Sequence, residues 1–72
     1  MTPLVTTWTS GGVTVQVETE CGERSRLRYD LGPWLPVHDA PASPLVATEG
    51  QAACNRRHDR AVAVAMILWP ED

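Results

Sequence analysis

Four side chains have the chemistry of a small metal site: Cys21, His38, Cys54 and His58. Zinc takes thiolate sulfur and imidazole nitrogen in a tetrahedron, so a Cys2His2 set is a suitable inventory. The spacing is less suitable. Cys54 and His58 lie four apart and meet on one face of a helix. Cys21 falls at a hairpin tip with no second cysteine near it, and His38 falls in a loop. A small buried cysteine and a core-facing histidine account for the helical pair without a metal. No bound metal and no cofactor are expected. Cys21 is expected to lie too far from the Cys54/His58 pair to share a metal, and no disulfide is expected between Cys21 and Cys54, free thiols being usual in the cytoplasm.

Catalytic arrangements fare no better. His38-Asp39 and His58-Asp59 resemble the His-Asp dipeptide of metal phosphohydrolases, but the further His and Asp ligands of that site are missing. Cys54 with His58 would make a nucleophile and a base, yet nothing supplies an orienting third group or an oxyanion site. The chain is read as a non-enzyme.

Interaction surfaces are better supported. Arg24, Arg26 and Arg28 share one face of a strand, where Glu20 and Glu18 pair with the first two and Arg28 faces only Gln16. Arg56, Arg57 and Arg60 cluster on one side of a helix, suited to an acidic partner. Trp34 and Leu35 sit between Pro33 and Pro36. A stiff, Pro-bracketed Trp loses little entropy on docking; the competing reading folds Trp34 back to cap the sheet. Ala61 to Trp69 carries no charge. As a helix it is apolar all round. Val62, Ala65, Met66 and Trp69 can face a sheet, which leaves Val64, Ile67 and Leu68 to project elsewhere and meet a partner.

These side chains need a scaffold. Ser10-Gly11-Gly12-Val13 signals a two-residue hairpin turn, pairing Trp8 with Val15, Thr6 with Val17 and Leu4 with Thr19. Leu4, Trp8, Val13, Val15 and Val17 then share a face. A second turn over Cys21 to Glu23 pairs Val17 with Leu27 and Val15 with Tyr29, keeping apolar residues together. Pro33, Pro36, Pro41 and Pro44 make Gly32 to Pro44 a surface loop. Thr48 with Gln51 forms a capping-box pattern for a helix that Pro70 ends. The expected fold is α+β, a three-stranded antiparallel meander packed by a C-terminal helix. The alternative is a short helix followed by a fourth strand over Val62 to Leu68, since those residues also alternate.

The 72 residues suit a single domain. Such a core usually supplies only ~3–5 kcal/mol unaided, and leaves little room for an active-site cleft. The net charge of −3 argues against nucleic acid and anionic membranes as partners. No signal peptide pattern or membrane-length apolar run is seen, so a soluble cytoplasmic protein is expected. Its leading function is to bind a larger host protein or complex by occupying a surface on it. A C2 homodimer is the cheapest way to cover the apolar segment by symmetry. All six basic residues are Arg, with no Lys. This composition suggests GC-rich bacterial or phage coding, and a phage-type inhibitor of a host system, anti-CRISPR-like, is one instance of the class. A small nucleic-acid-binding module using the Arg clusters is the alternative.

Overall fold

Two glycines make the first turn. Gly11 and Gly12 hold φ of +57° and +84°, the left-handed pair a tight hairpin requires and glycine adopts without a Cβ clash. The computed structural model describes residues 3–37 and 50–72. In it the turn joins β1 (Leu4–Ser10) to β2 (Val13–Thr19). Trp8 pairs with Val15, Thr6 with Val17 and Leu4 with Thr19, the expected register.

β3 (Arg26–Tyr29) pairs with β2 through Val17–Leu27 and Val15–Tyr29. Hydrophobic parity therefore fixes this register as well. The ladder stops at Glu18–Arg26, so the expected Glu20–Arg24 rung does not form. The proline-rich loop needs a larger correction. Leu35–Pro36 forms a short fourth strand, β4, placing Leu35 opposite Leu27 and Pro36 opposite Arg26. The sheet order is β1-β2-β3-β4. Proline is tolerated here because β4 is an edge strand, where a missing N–H breaks no interior ladder.

The helix α1 runs unbroken over Gln51–Leu68, so the strand alternative for its second half does not hold. Its N-cap is Gly50, with no side-chain cap bond; Thr48, the expected cap, lies outside the described residues. His38 and the rest of residues 38–49 lie outside them too. Cys54, His58, Ala61 and Ala65 form the helix's buried stripe. All but His58 are small, which lets the helix sit close to the sheet. Trp8, Val15, Val17, Val37, Ala61 and Ala65 make the core, with Leu27, Val62, Val64, Met66 and Trp69 packed around it. Val64 was expected to project away. It is half-buried against the core instead, because a helix on a flat sheet contacts it across more than one narrow stripe.

The chain's last residues return to the first hairpin. Trp8 Nε1 donates to the Trp69 carbonyl at 2.7 Å, satisfying an oxygen that the helix end leaves without an intrahelical partner. Asp72 N–H donates to the Thr9 carbonyl, and the Asp72 carboxylate accepts from Gly11 N–H at 2.7 Å. The architecture is thus α+β, an antiparallel four-stranded sheet covered by one helix. No helix among the described residues is long and apolar enough to cross a membrane.

The expectation of free thiols is overturned. Cys21 and Cys54 are joined in a disulfide, their Cα atoms 5.4 Å apart. The first turn of α1 docks beside the β2–β3 turn, so the two positions are neighbours despite 33 residues of separation.

Candidate functional site

Three groupings of side chains stand out from the scaffold. The first is a buried polar chain beside the disulfide. His58 bonds on both ring nitrogens: Nε2 is 2.7 Å from Thr6 Oγ1 and Nδ1 is 2.8 Å from Thr19 Oγ1. Thr19 Oγ1 lies 2.7 Å from Ser25 Oγ. Arg57 donates to Ser25 Oγ at 3.3 Å and to the Glu20 carbonyl at 2.9 Å. Thr19 and Ser25 are fully buried and His58 nearly so.

One arrangement of hydrogens gives both buried hydroxyls, Thr19 and Ser25, an acceptor. Arg57 has only protons to give, so Ser25 accepts from it and donates to Thr19. Thr19 then donates to Nδ1, and His58 donates from Nε2 to Thr6. The Arg57 charge polarises this direction. The neutral imidazole is the form that fits. Burial lowers the His58 pKa below its ordinary 6.5; the Asp59 carboxylate opposes that shift and the Arg57 guanidinium adds to it.

A pH prediction follows from the sign of that shift. The unfolded chain binds a proton at His58 more readily than the folded one. This contribution to stability is therefore complete above about pH 6.5 and is lost as pH falls through the lower folded value. Denaturant midpoints should fall between about pH 7.5 and pH 5, the range in which histidine titrates. His58→Gln should flatten that part of the profile. An unchanged slope in the variant would assign the pH effect to the carboxylates. The middle of the chain, Thr19, Ser25 and His58, is buried, while Thr6 and Arg57 at its ends are partly exposed.

The second grouping lies on the sheet face away from the helix. The guanidinium carbons of Arg26 and Arg28 each lie 4.6 Å from the centroid of the Trp34 ring. Arg26 also pairs with Glu18, and Arg28 Nε donates to Gln16 Oε1 at 2.6 Å. Trp34 thus folds back on the sheet, over its arginine-bearing face. Stacked cation–π pairs and hydrogen bonds hold both guanidiniums in place.

The third grouping is apolar. A pocket of about 310 Å³ opens between the β3–β4 edge and the end of α1. Leu27, Tyr29, Leu35, Val64, Leu68 and Trp69 line most of it. Tyr29 and Trp69 form one wall, stacked with ring centroids 4.9 Å apart. Leu68 is 75% exposed and Ile67, next to it in the last turn of α1, is 78% exposed. The turn after Tyr29 adds Leu31, 66% exposed with φ of +55°. A left-handed leucine costs about 1–2 kcal/mol. Asp30 beside it also has positive φ, and Gly32 N–H closes the turn onto the Tyr29 carbonyl.

The residues named from sequence are thus dispersed. Leu35, Val64 and Leu68 come together in the pocket, and Ile67 is exposed on α1 without lining it. Trp34 and Arg28 meet on the opposite face. Arg56 and Arg60 are exposed on α1, while Arg57 is half-buried and turned to the sheet. Sequence reasoning missed Thr6, Thr19 and Ser25. Their signal was parity, since Thr6 and Thr19 occupy inward positions alongside Trp8 and Val17. Among the described residues, no group of three or more His, Cys, Asp or Glu side chains is placed to hold a metal. No protein-family model, curated protein or solved structure matches this chain.

Proposed function

We propose that the chain is a binding protein that acts by occupying a surface on a larger protein partner, with the apolar end of the β3–β4 edge and α1 as its docking face. The observation that carries this reading is the open pocket lined in part by Leu68, with Leu68 and its helix neighbour Ile67 both about three-quarters exposed on a small domain. Contiguous exposed apolar surface of this kind marks interaction sites. Leu31 supports it: a strained backbone position carrying a large exposed apolar residue is better explained by function than by stability. Exposed carboxylates of Asp30 and Glu71 lie close in sequence to the lining residues Tyr29 and Trp69. The fitting partner therefore presents an apolar anchor flanked by basic side chains. A second copy of the chain is the other occupant that the test must separate.

The reading includes no catalytic activity; the Cys21–Cys54 bond removes the free-thiol argument for a cytoplasmic location, since such bonds persist in oxidising compartments. A phage-type inhibitor of a host system, such as an anti-CRISPR, belongs to this class, on grounds of composition alone. The nucleic-acid alternative loses support because Arg28 and Arg57 are engaged within the molecule.

Ile67→Glu with Leu68→Glu should abolish capture of the partner while leaving the fold intact, because both side chains are already in water. Val64→Glu is a poorer test, since Val64 packs against the core. Arg56→Glu with Arg60→Glu should retain binding to within a few fold. Capture measured with all three proteins, together with light scattering of the wild type, separates the cases. Loss only in the arginine variant would refute the reading, and a concentration-dependent dimer broken by Ile67→Glu would assign the face to a second copy.

A further inference from the structure

We propose that the Cys21–Cys54 bond is an exchangeable redox site. A small thiol such as glutathione attacks Cys21 Sγ, Cys54 leaves, and opening loosens the first two turns of α1 from the sheet. The two sulfurs differ in access: Cys54 is fully buried, whereas Cys21 is partly exposed in the turn between β2 and β3. They also differ as leaving groups. Cys54 lies in the first turn of α1, where the helix N-terminus favours a thiolate against the opposing effect of its burial. Cys21 lies between Glu20 and Glu23, whose carboxyls interact closely enough to raise the pKa of Glu20, chiefly through a hydrogen bond between them. Negative charge is disfavoured there. Access and leaving-group stability thus select the same direction of attack, while the two carboxyls slow the approach of an anionic thiolate to Cys21. Gln51 Oε1 stands 3.8 Å from Cys21 Sγ, ready to accept from a thiol S–H.

The steps balance. A thiol loses its proton to solvent, and its sulfur forms a bond to Cys21 Sγ as the Cys21–Cys54 bond breaks. Cys54 takes the electron pair and then a proton. A second thiolate attacks the small-molecule sulfur of the mixed disulfide, releasing Cys21, which is protonated. The protein disulfide is reduced to two thiols and two small thiols are oxidised to their disulfide.

The consequence comes from how unevenly α1 is held. Its first ten residues bury only Cys54 and His58. Gly50 provides no side-chain cap, and no acidic residue stands in the first turn. With the bond open, that half keeps the hydrogen bonds of His58 and Arg57. The second half keeps Ala61, Ala65 and the packing of Val62, Val64, Met66 and Trp69.

The test equilibrates the native protein with mixtures of reduced and oxidised glutathione, traps thiols with acid, and maps adducts by mass spectrometry. Hydrogen exchange is followed on the same samples. The expected result is opening without denaturant, a glutathione adduct on Cys21 and not on Cys54, and at least tenfold faster exchange over 51–58 with 61–68 little changed. Cys21→Ser, exposed to oxidised glutathione, should leave Cys54 unmodified in the folded state. A bond that opens only when the protein unfolds, an adduct on Cys54, or uniform loss of protection would each overturn the proposal.

Discussion

Replacing Cys54 with Ala should lower stability by about 3–4 kcal/mol, the loop-closure contribution of a bond spanning some thirty residues. For a domain of this size that corresponds to a fall in Tm of at least ~12 °C. The size of the effect comes from the unfolded chain. The bond ties residues separated by 33 positions and so removes much of the freedom that folding must otherwise overcome. The core opposing that freedom is small, and only Trp8 among its fully packed side chains is large. Cys21→Ala should give a similar fall, because both variants lose the same link. Calorimetry of the oxidised wild type against each variant measures it. Equal Tm values would mean that the bond adds nothing to the folded state. A much larger loss in Cys54→Ala than in Cys21→Ala would assign the difference to the buried volume at position 54.

Trp8→Ala should be about as damaging, at roughly 3–5 kcal/mol, through lost burial and the cavity left behind. Trp8 is 4% exposed and packs in the core on the sheet's inner face. Its indole N–H also anchors the Trp69 carbonyl at 2.7 Å. Trp8→Phe separates the two roles. It keeps most of the apolar contact but leaves that carbonyl without its donor, and should cost about 1–3 kcal/mol. Denaturant unfolding of both variants provides the comparison. An equal loss in Phe and Ala would assign the whole effect to the hydrogen bond. No loss in Phe would mean that water replaces the indole.

Much of this fold was legible in the sequence, for reasons local to it. Gly11-Gly12 admits the hairpin turn, and alternation on either side fixes which residues face inward. Val17 and Leu27 had to share a face, and that chose the second register over one that would have opposed Val17 to Arg28. The helix was legible from Cys54, His58, Ala61 and Ala65 at helical spacing. Two features were not. β4 is two residues long and includes Pro36, so it carries no alternation to read; only its partner Leu27 defines it. The disulfide depends on where α1 begins relative to the β2–β3 turn, which is a property of tertiary packing. Once Cys54 lies beside Cys21, the polar residues around it acquire a reason. His58 needs partners for both ring nitrogens, and Thr6 and Thr19 sit at inward positions on paired strands. As for the candidate site, the apolar run of α1 pointed to Ile67 and Leu68, but not to the meeting of Leu68 with Tyr29 and Leu35. That meeting required the fourth strand.

The most direct test of the docking face is site-specific photo-cross-linking to the captured partner. A photoreactive side chain is placed at Ile67 in one protein and at Arg56 in another. Both positions are exposed on α1, so neither substitution disturbs the core. The account predicts a covalent adduct with the partner from position 67 and none from position 56. An adduct from position 56 alone would contradict it and move the interface to the arginine-bearing part of the helix.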